Sequence, residues 1–129
     1  MAIETFKGKD IKEIQTKCFM EDFREVGVGK ACGWYEYENY GLEAEEGDLI
    51  LFQMNNSIIA SAKYVMKLEK AKAFKVDINT VRIFKPILKE ELSVIIPKFQ
   101  NFGMVRWDYD IKDVNMDLLE QRMSMPIDN

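Results

Sequence analysis

One local pattern, an apolar run followed by a two-asparagine turn, constrains the fold of this chain more than any other. Residues 48–54, Asp-Leu-Ile-Leu-Phe-Gln-Met, are almost continuously apolar, as is typical of a buried strand. Asn55-Asn56-Ser57 is typical of a tight turn, because asparagine tolerates a positive φ. Residues 58–67 then alternate in polarity, as a returning strand does. The pattern predicts a β-hairpin over residues 47–69 that turns at Asn55–Ser57, within a sheet closed into a barrel.

The segments on either side of this hairpin predict an α+β fold. Apolar residues at helical spacing predict an N-terminal helix from Lys9 to about Glu25, with Asp10 as its N-cap. Aromatic and β-branched runs predict strands over residues 30–37, 74–84 and 106–111. A short helix near 88–96 ends at Pro97, and a last helix begins at Asp113. We expect one domain over residues 1–129, built on a curled sheet of mostly antiparallel strands.

Composition excludes several classes of protein. The 129 residues contain no histidine and only two cysteines, which excludes Ser-His-Asp catalysis and a four-ligand Cys/His zinc site. No apolar run approaches the ~18 residues that span a bilayer, and residues 1–7 do not resemble a secretory signal, so we expect none. We therefore expect a cytoplasmic protein that is not an enzyme, with no catalytic residue, no metal, no cofactor and no membrane partner.

Charge is distributed unevenly along the chain. Residues 36–48 hold six acidic side chains and no basic one, whereas residues 63–98 hold nine basic and four acidic side chains. Such a basic segment is either an ordinary solvated surface or a face that contacts phosphates. If it contacts phosphates, Lys63, Lys67 and Arg82 are the candidate contacts to a nucleic-acid backbone. Arg106, beside Trp107, is a further candidate. The acidic segment offers a different possibility, docking onto a basic protein partner.

Aromatic side chains suggest a pocket for a planar ligand. Trp34 and Tyr35 are neighbours in one expected strand, and Trp107 lies in another. Because neighbouring strand residues point to opposite faces, Trp34 and Tyr35 cannot both enter the core of a single-layer barrel. Aromatic rings at a pocket stack on nucleobases or cage methylammonium groups, although each tryptophan is equally consistent with a core position.

Three stretches of the chain resemble the PUA-like superfamily, which includes the EVE, YTH and ASCH domains. Gly47-Asp-Leu-Ile-Leu-Phe52, a turn and Ile58-Ile-Ala-Ser-Ala-Lys-Tyr-Val65 resemble the hairpin of these domains. Residues 76–92, in which a strand ends at Pro86 before a leucine-bearing helix, are similar to an EVE pattern. Residues 99–111 occupy the place of the late strand. The resemblance covers about residues 30–111 and implies a PUA-like pseudobarrel.

This resemblance implies a module that accepts a modified, flipped nucleobase in an aromatic pocket, as in modification-dependent restriction systems of the McrBC type. Trp34, Tyr35 and Trp107 are then the cage candidates, and Asn55, Asn56 and Ser57 the candidates for contacts to the base edge. The implied partner is nucleic acid carrying a modified base, with DNA favoured over RNA, read by a module fused to or working with a nuclease. Two alternatives remain: a small ASCH-like amidohydrolase acting on a modified nucleoside, and a protein-interaction domain.

Overall fold

A six-stranded mixed sheet is the centre of the fold. The computed structural model describes residues 1–5, 10–22, 34–36, 44–68, 73–103 and 106–127. The strands are β1 (Ala2–Thr5), β2 (Trp34–Glu36), β3 (Leu49–Met54), β4 (Ser57–Leu68), β5 (Ala73–Leu88) and β6 (Arg106–Asp108). The helices are α1 (Ile11–Glu13), which continues as a π-helical segment (Ile14–Asp22), α2 (Lys89–Ile95) and α3 (Met116–Met123), with a 3₁₀ turn at Ile111–Asp113.

The strand order across the sheet is β2-β5-β4-β3-β1-β6. β1 runs parallel to β3, and the other four pairings are antiparallel. The predicted α+β class, the helix near 88–96 and the C-terminal helix are therefore confirmed. The C-terminal helix begins at Met116 with Asn115 as its N-cap, and not at Asp113, which lies in the 3₁₀ turn. The expected closure into a barrel is not: within the described residues no ladder joins β2 to β6, and the sheet is open. Helices cover the sheet instead, so its apolar faces are buried without closure.

The predicted hairpin is confirmed, including its turn. Asn55 and Asn56 have φ values of +50° and +59°, the left-handed conformation that a two-residue type I′ turn requires at both positions. The Ser57 hydroxyl donates to the Met54 carbonyl oxygen at 3.0 Å, which ties the two ends of the turn together. β3 and β4 then pair from Met54–Ser57 to Leu49–Lys63.

Register shifts bend the long β4–β5 ribbon. Between the pairs Ser61–Arg82 and Lys63–Asp77, β5 carries three more residues than β4. The Thr80 hydroxyl holds this bulge, because it donates to the Asp77 carbonyl at 2.6 Å and accepts from the Lys63 amide at 2.8 Å. An extra residue on β4, Val65, shifts the register again between Tyr64 and Met66. Bulges of this kind curl a sheet and re-aim its side chains.

Both faces of the sheet carry an apolar core. We call them core 1, on the side of α2 and α3, and core 2, on the side of the N-terminal helical segment. Core 1 includes Ile3, Leu51, Ile58, Phe84, Ile87, Leu92, Ile95 and Leu119. Core 2 includes Phe19, Ile50, Phe52, Ile59, Ala62, Tyr64, Phe74 and Val76. The middle of the sheet is therefore buried on both sides, which explains why the β3 sequence is continuously apolar rather than alternating.

Gln15 attaches the N-terminal helical segment to the ribbon. Asp10 caps this segment as predicted, accepting from the Glu13 amide at 3.0 Å. The Gln15 side chain is 1% exposed, and its amide nitrogen donates at 2.8 Å to both the Ile59 and the Phe84 carbonyls. These carbonyls lie where the β4–β5 register shifts, and the amide supplies them with hydrogen-bond partners.

Polar contacts attach the C-terminal helix to β5 and α2. Arg122 pairs with Glu91 of α2 and donates to the Pro86 carbonyl at 3.4 Å. The Lys85 amide donates to the Met125 carbonyl at 3.0 Å, so the segment after α3 lies along β5. In the part of the chain that the structure describes, no helix is long and apolar enough to cross a membrane.

Candidate functional site

Among the described residues, several side chains of the β4–β5 ribbon are exposed at its far end. Lys63 and Lys67 are exposed, and the Met66 side chain is 48% exposed, whereas residues 57–62 of the same strand are buried. Lys75 and Asp77 on β5 are half-buried. β2 pairs with β5 at this end of the ribbon.

Register assigns these residues to the two faces of the sheet. Lys63 lies opposite Leu49, which packs against core 1, and opposite Asp77 on β5. After the Val65 bulge, Met66 lies opposite Lys75. We call Lys63, Met66, Lys75 and Asp77 the distal patch, because they continue the core 1 face beyond the area that α2 and α3 cover.

The distal patch adjoins the strand that carries two of the predicted aromatic residues. Trp34 on β2 lies opposite Lys75, and Tyr35 lies opposite Phe74. Phe74 belongs to core 2 and is fully buried, and Lys67 lies opposite it on β4. We call a line of residues that are paired across adjacent strands a row. The row of Trp34 contains Lys75 and Met66, which are partly or largely exposed, whereas the row of Tyr35 contains the core residue Phe74.

The structure places the other predicted aromatic residue at the opposite edge of the sheet. Trp107 on β6 lies opposite Ile3, in a row that continues through Leu51 and Ser61 to Arg82. Ile3, Leu51 and Ser61 are each at most 1% exposed. Trp34 and Trp107 thus lie at the two edges of the sheet, with four strands between them.

The predicted phosphate contacts are not brought together on one surface. Lys63 and Lys67 lie in rows of opposite faces, and Arg106 lies on the β6 edge beside Trp107. Arg82 donates to both carboxylate oxygens of Glu120 at 2.9 Å and to the Ser124 hydroxyl at 3.0 Å. Its guanidinium is thereby engaged with α3.

The hairpin turn lies far from the distal patch. Asn55 and Asn56 are exposed at one end of β4, and Met66 is near the other end, about 30 Å away along an extended strand. The Ser57 side chain is 1% exposed, and its hydroxyl bonds within the turn. The structure therefore gives these residues a role in turn formation, and it does not join them to the aromatic strand β2.

Several other aromatic residues belong to the cores. The Phe19 and Phe52 rings lie 4.9 Å apart, and the Tyr64 and Phe74 rings 5.8 Å apart, all in core 2. Tyr109 is 6% exposed in core 1, and its burial raises the pKa of the hydroxyl to about 12. The argument that Trp34 and Tyr35 cannot both be buried assumed a sheet with a core on one face only. Because both faces of this sheet carry an apolar core, that assumption does not hold.

A groove of about 450 Å³ lies between the end of α2 and the 3₁₀ turn. Lys98 and Lys112 border it, and each pairs with an aspartate, Asp113 at 3.0 Å and Asp110 at 3.8 Å. None of the residues predicted from the sequence to bind a ligand lines this groove. Both lysines at this groove are therefore paired with carboxylates.

Sequence reasoning missed Lys75 and Met66 as site residues. A lone lysine in an alternating strand carries no motif, and only the register with β2 shows that it lies beside Trp34. Within the described residues, no group of three or more acidic, cysteine or histidine side chains is arranged to hold a metal ion. No known protein family, curated protein or solved structure matches this chain.

Proposed function

We propose that this chain is a non-catalytic, PUA-like module that binds nucleic acid and recognises a modified, flipped base. The observation that carries the proposal is the register of the distal sheet, in which β2, with Trp34 and Tyr35, pairs with β5 at Lys75 and Phe74, and the lysines Lys63 and Lys67 lie on the next strand, β4. Aromatic rings beside cationic side chains are what single-stranded nucleic acid requires, because the rings stack on bases and the cations contact phosphates.

The bulged ribbon supports the PUA-like part of this proposal. A pseudobarrel needs long strands that bend, and β4 and β5 change register three times along their length. The helix after Pro86 and the late strand β6 occur in the order that the resemblance requires. The proposed partner is DNA rather than RNA, and the module acts within, or together with, a restriction nuclease in the cytoplasm.

A binding panel tests the function directly. The probes are labelled single-stranded DNA oligonucleotides of about 12 nucleotides, a length within the usual range of site sizes. One probe is unmodified, and the others each carry a single 5-methylcytosine, 5-hydroxymethylcytosine or N6-methyladenine. We expect one modified probe to bind at least about tenfold more tightly than the unmodified probe, since base recognition adds about 1.4 kcal/mol or more.

Salt dependence tests the phosphate contribution. We expect affinity to fall as salt rises, and the double variant Lys63→Glu, Lys67→Glu to show a slope shallower by at least about 0.7, the contribution of one phosphate contact to single-stranded nucleic acid. Lys89→Glu is the matched control, because Lys89 is an exposed lysine at the start of α2. Absence of binding to every probe at low salt would contradict the proposal and favour a protein-interaction domain whose exposed Glu45 and Glu46 dock a basic partner.

A further inference from the structure

We propose that Met125, just after α3, is a site of oxidation by hydrogen peroxide, and that the Arg122 guanidinium binds the sulfoxide oxygen that forms. The juxtaposition behind this proposal is an exposed thioether in contact with a largely buried cation. Met125 is 41% exposed, whereas the Arg122 side chain is 12% exposed and donates to the Met125 sulfur. The proposal is independent of the nucleic-acid function, because it concerns how the C-terminal segment is attached to the rest of the fold.

Exposure distinguishes two methionines among those whose side chains the structure describes. Met66 is 48% exposed and Met125 is 41% exposed. The others are buried or half-buried, namely Met1, Met54, Met116 and Met123. Because a soluble oxidant reaches a thioether only where the sulfur is accessible, Met66 and Met125 should be oxidised before these four.

The surroundings of the sulfur distinguish Met125 from Met66. Arg122 Nη1 donates to Met125 Sδ, and a thioether sulfur is a weak acceptor. Among the described residues, Met66 has no such donor at its sulfur. A sulfoxide at position 66 would therefore face water, whereas a sulfoxide at position 125 would form beside a charged N–H donor.

Oxidation strengthens the contact between Met125 and Arg122. An electron pair of the sulfur attacks one oxygen of hydrogen peroxide, and the O–O bond breaks. The proton on the transferred oxygen goes to the departing hydroxide, which leaves as water. The sulfoxide is polar, and its oxygen is a better acceptor than the thioether sulfur. A hydrogen bond to it from a guanidinium is charge-assisted, and such bonds are about twice as strong as neutral ones.

Existing bonds hold the donor and the new acceptor close together. Arg122 pairs with Glu91 of α2 and donates to the Pro86 carbonyl at 3.4 Å, which orients its guanidinium. The Met125 carbonyl accepts from the Lys85 amide at 3.0 Å, and the Met125 amide donates to the Arg122 carbonyl at 3.2 Å. In an apolar core a sulfoxide disrupts packing. Here it adds a bond to contacts that join α2, α3 and β5, so oxidation of Met125 should stabilise the folded state.

Urea unfolding of Met66→Leu before and after mild peroxide treatment tests this proposal, with peptide mass spectrometry to locate the added oxygen. We expect oxidation at Met125 to lower the unfolding equilibrium constant about fivefold, the effect of one additional hydrogen bond. Met125→Leu is the matched control. It keeps Met66 and shares every other methionine with the first variant, and oxidation should change its unfolding constant by less than about twofold.

Two further variants test the role of the guanidinium. When Arg122→Leu is added to Met66→Leu, oxidation of Met125 should no longer stabilise the protein. Met125→Gln supplies an oxygen acceptor without oxidation, and it should unfold with a lower equilibrium constant than Met125→Leu.

The proposal is wrong if oxidation leaves Met66→Leu unchanged or destabilises it, or if it stabilises the Arg122→Leu variant equally. It is also wrong if Met125 stays unmodified in parent protein whose Met66 is oxidised. Should Arg122→Leu fail to fold, Met125→Gln decides, and a stability no higher than that of Met125→Leu overturns the proposal.

Discussion

Replacement of Gln15 by leucine removes a buried amide while keeping a side chain of similar size. In the native protein this amide donates to the Ile59 and Phe84 carbonyls, both at 2.8 Å, from a side chain that is 1% exposed. Leucine leaves both carbonyls without this donor. A buried acceptor that loses its partner costs about 1–3 kcal/mol, so for two acceptors we expect the free energy of unfolding to fall by about 2–6 kcal/mol. That is a large part of the ~5–15 kcal/mol typical of a domain.

Urea unfolding followed by circular dichroism measures this loss, with an unchanged m-value showing that the change is one of stability. Thr16→Ala is the matched control. Thr16 is the next residue in the same helical segment, it is exposed, and its hydroxyl bonds only locally, to the Lys12 carbonyl at 2.8 Å. We expect the control to lie within about 0.5 kcal/mol of the parent. A loss below about 1 kcal/mol in Gln15→Leu would refute the idea that this amide secures the bulged ribbon.

Two further predictions concern the C-terminal helix and core 1. In urea unfolding, Arg122→Ala should lower the free energy of unfolding by about 1–3 kcal/mol, because the Arg122 side chain is 12% exposed and bonds to both α2 and β5. Arg82→Ala should lower it by less than about 1 kcal/mol, because the ion pair of Arg82 with α3 is solvated. Burial raises the pKa of Tyr109 from 10.0 to about 12. The folded state therefore binds the Tyr109 hydroxyl proton more tightly than the unfolded state does. The stability that this group contributes is complete below about pH 10. Between about pH 10 and 12 the free energy of unfolding falls by about 1.4 kcal/mol per pH unit. Unfolding measured across this range should show a steeper loss in the parent than in Tyr109→Phe, and equal losses would contradict the prediction.

Local signals made the hairpin and the helices predictable. Two asparagines at positive φ specify a two-residue turn by themselves, and the strands on each side need only each other as partners. Pro97 likewise marks the end of α2 from the sequence alone, whereas Pro86, where the preceding strand was expected to end, lies inside β5, which continues to Leu88. The observed N-terminal helical segment begins close to the predicted residue, because the Asp10 cap is a local interaction.

Long-range pairing made the rest of the fold unpredictable. β1 has four residues and no turn beside it, and its place between β3 and β6 follows only from contacts with distant parts of the chain. The alternation of residues 58–67 predicted one polar face for β4. Its first half is instead buried on both faces, because helices cover both sides of the sheet. Ser61, expected on the polar face, is 1% exposed for this reason.

The candidate site shows the same division between local and long-range information. The sequence indicated aromatic and basic residues, but their grouping depends on register, which placed Trp34 beside Lys75 and separated Trp107 and Arg106 from both. Of the predicted set Trp34, Tyr35, Asn55, Asn56, Ser57, Trp107, Lys63, Lys67, Arg82 and Arg106, only the residues of β2 and the two β4 lysines lie near the open end of the sheet.

Burial on both faces restricts where this sheet can accept a ligand. Over most of its length the β4–β5 ribbon is covered by α2 and α3 on one side and by the N-terminal helical segment on the other, so a ligand there would have to displace a packed core. On the core 1 side, Glu120 of α3 pairs with Arg82 at 2.9 Å. Beyond that ion pair the Asp77 bulge turns the ribbon, and Lys63, Met66 and Lys75 follow on the same face. The bulge thus lies between the part of the ribbon that α3 contacts and the part where Lys63 and Met66 are exposed.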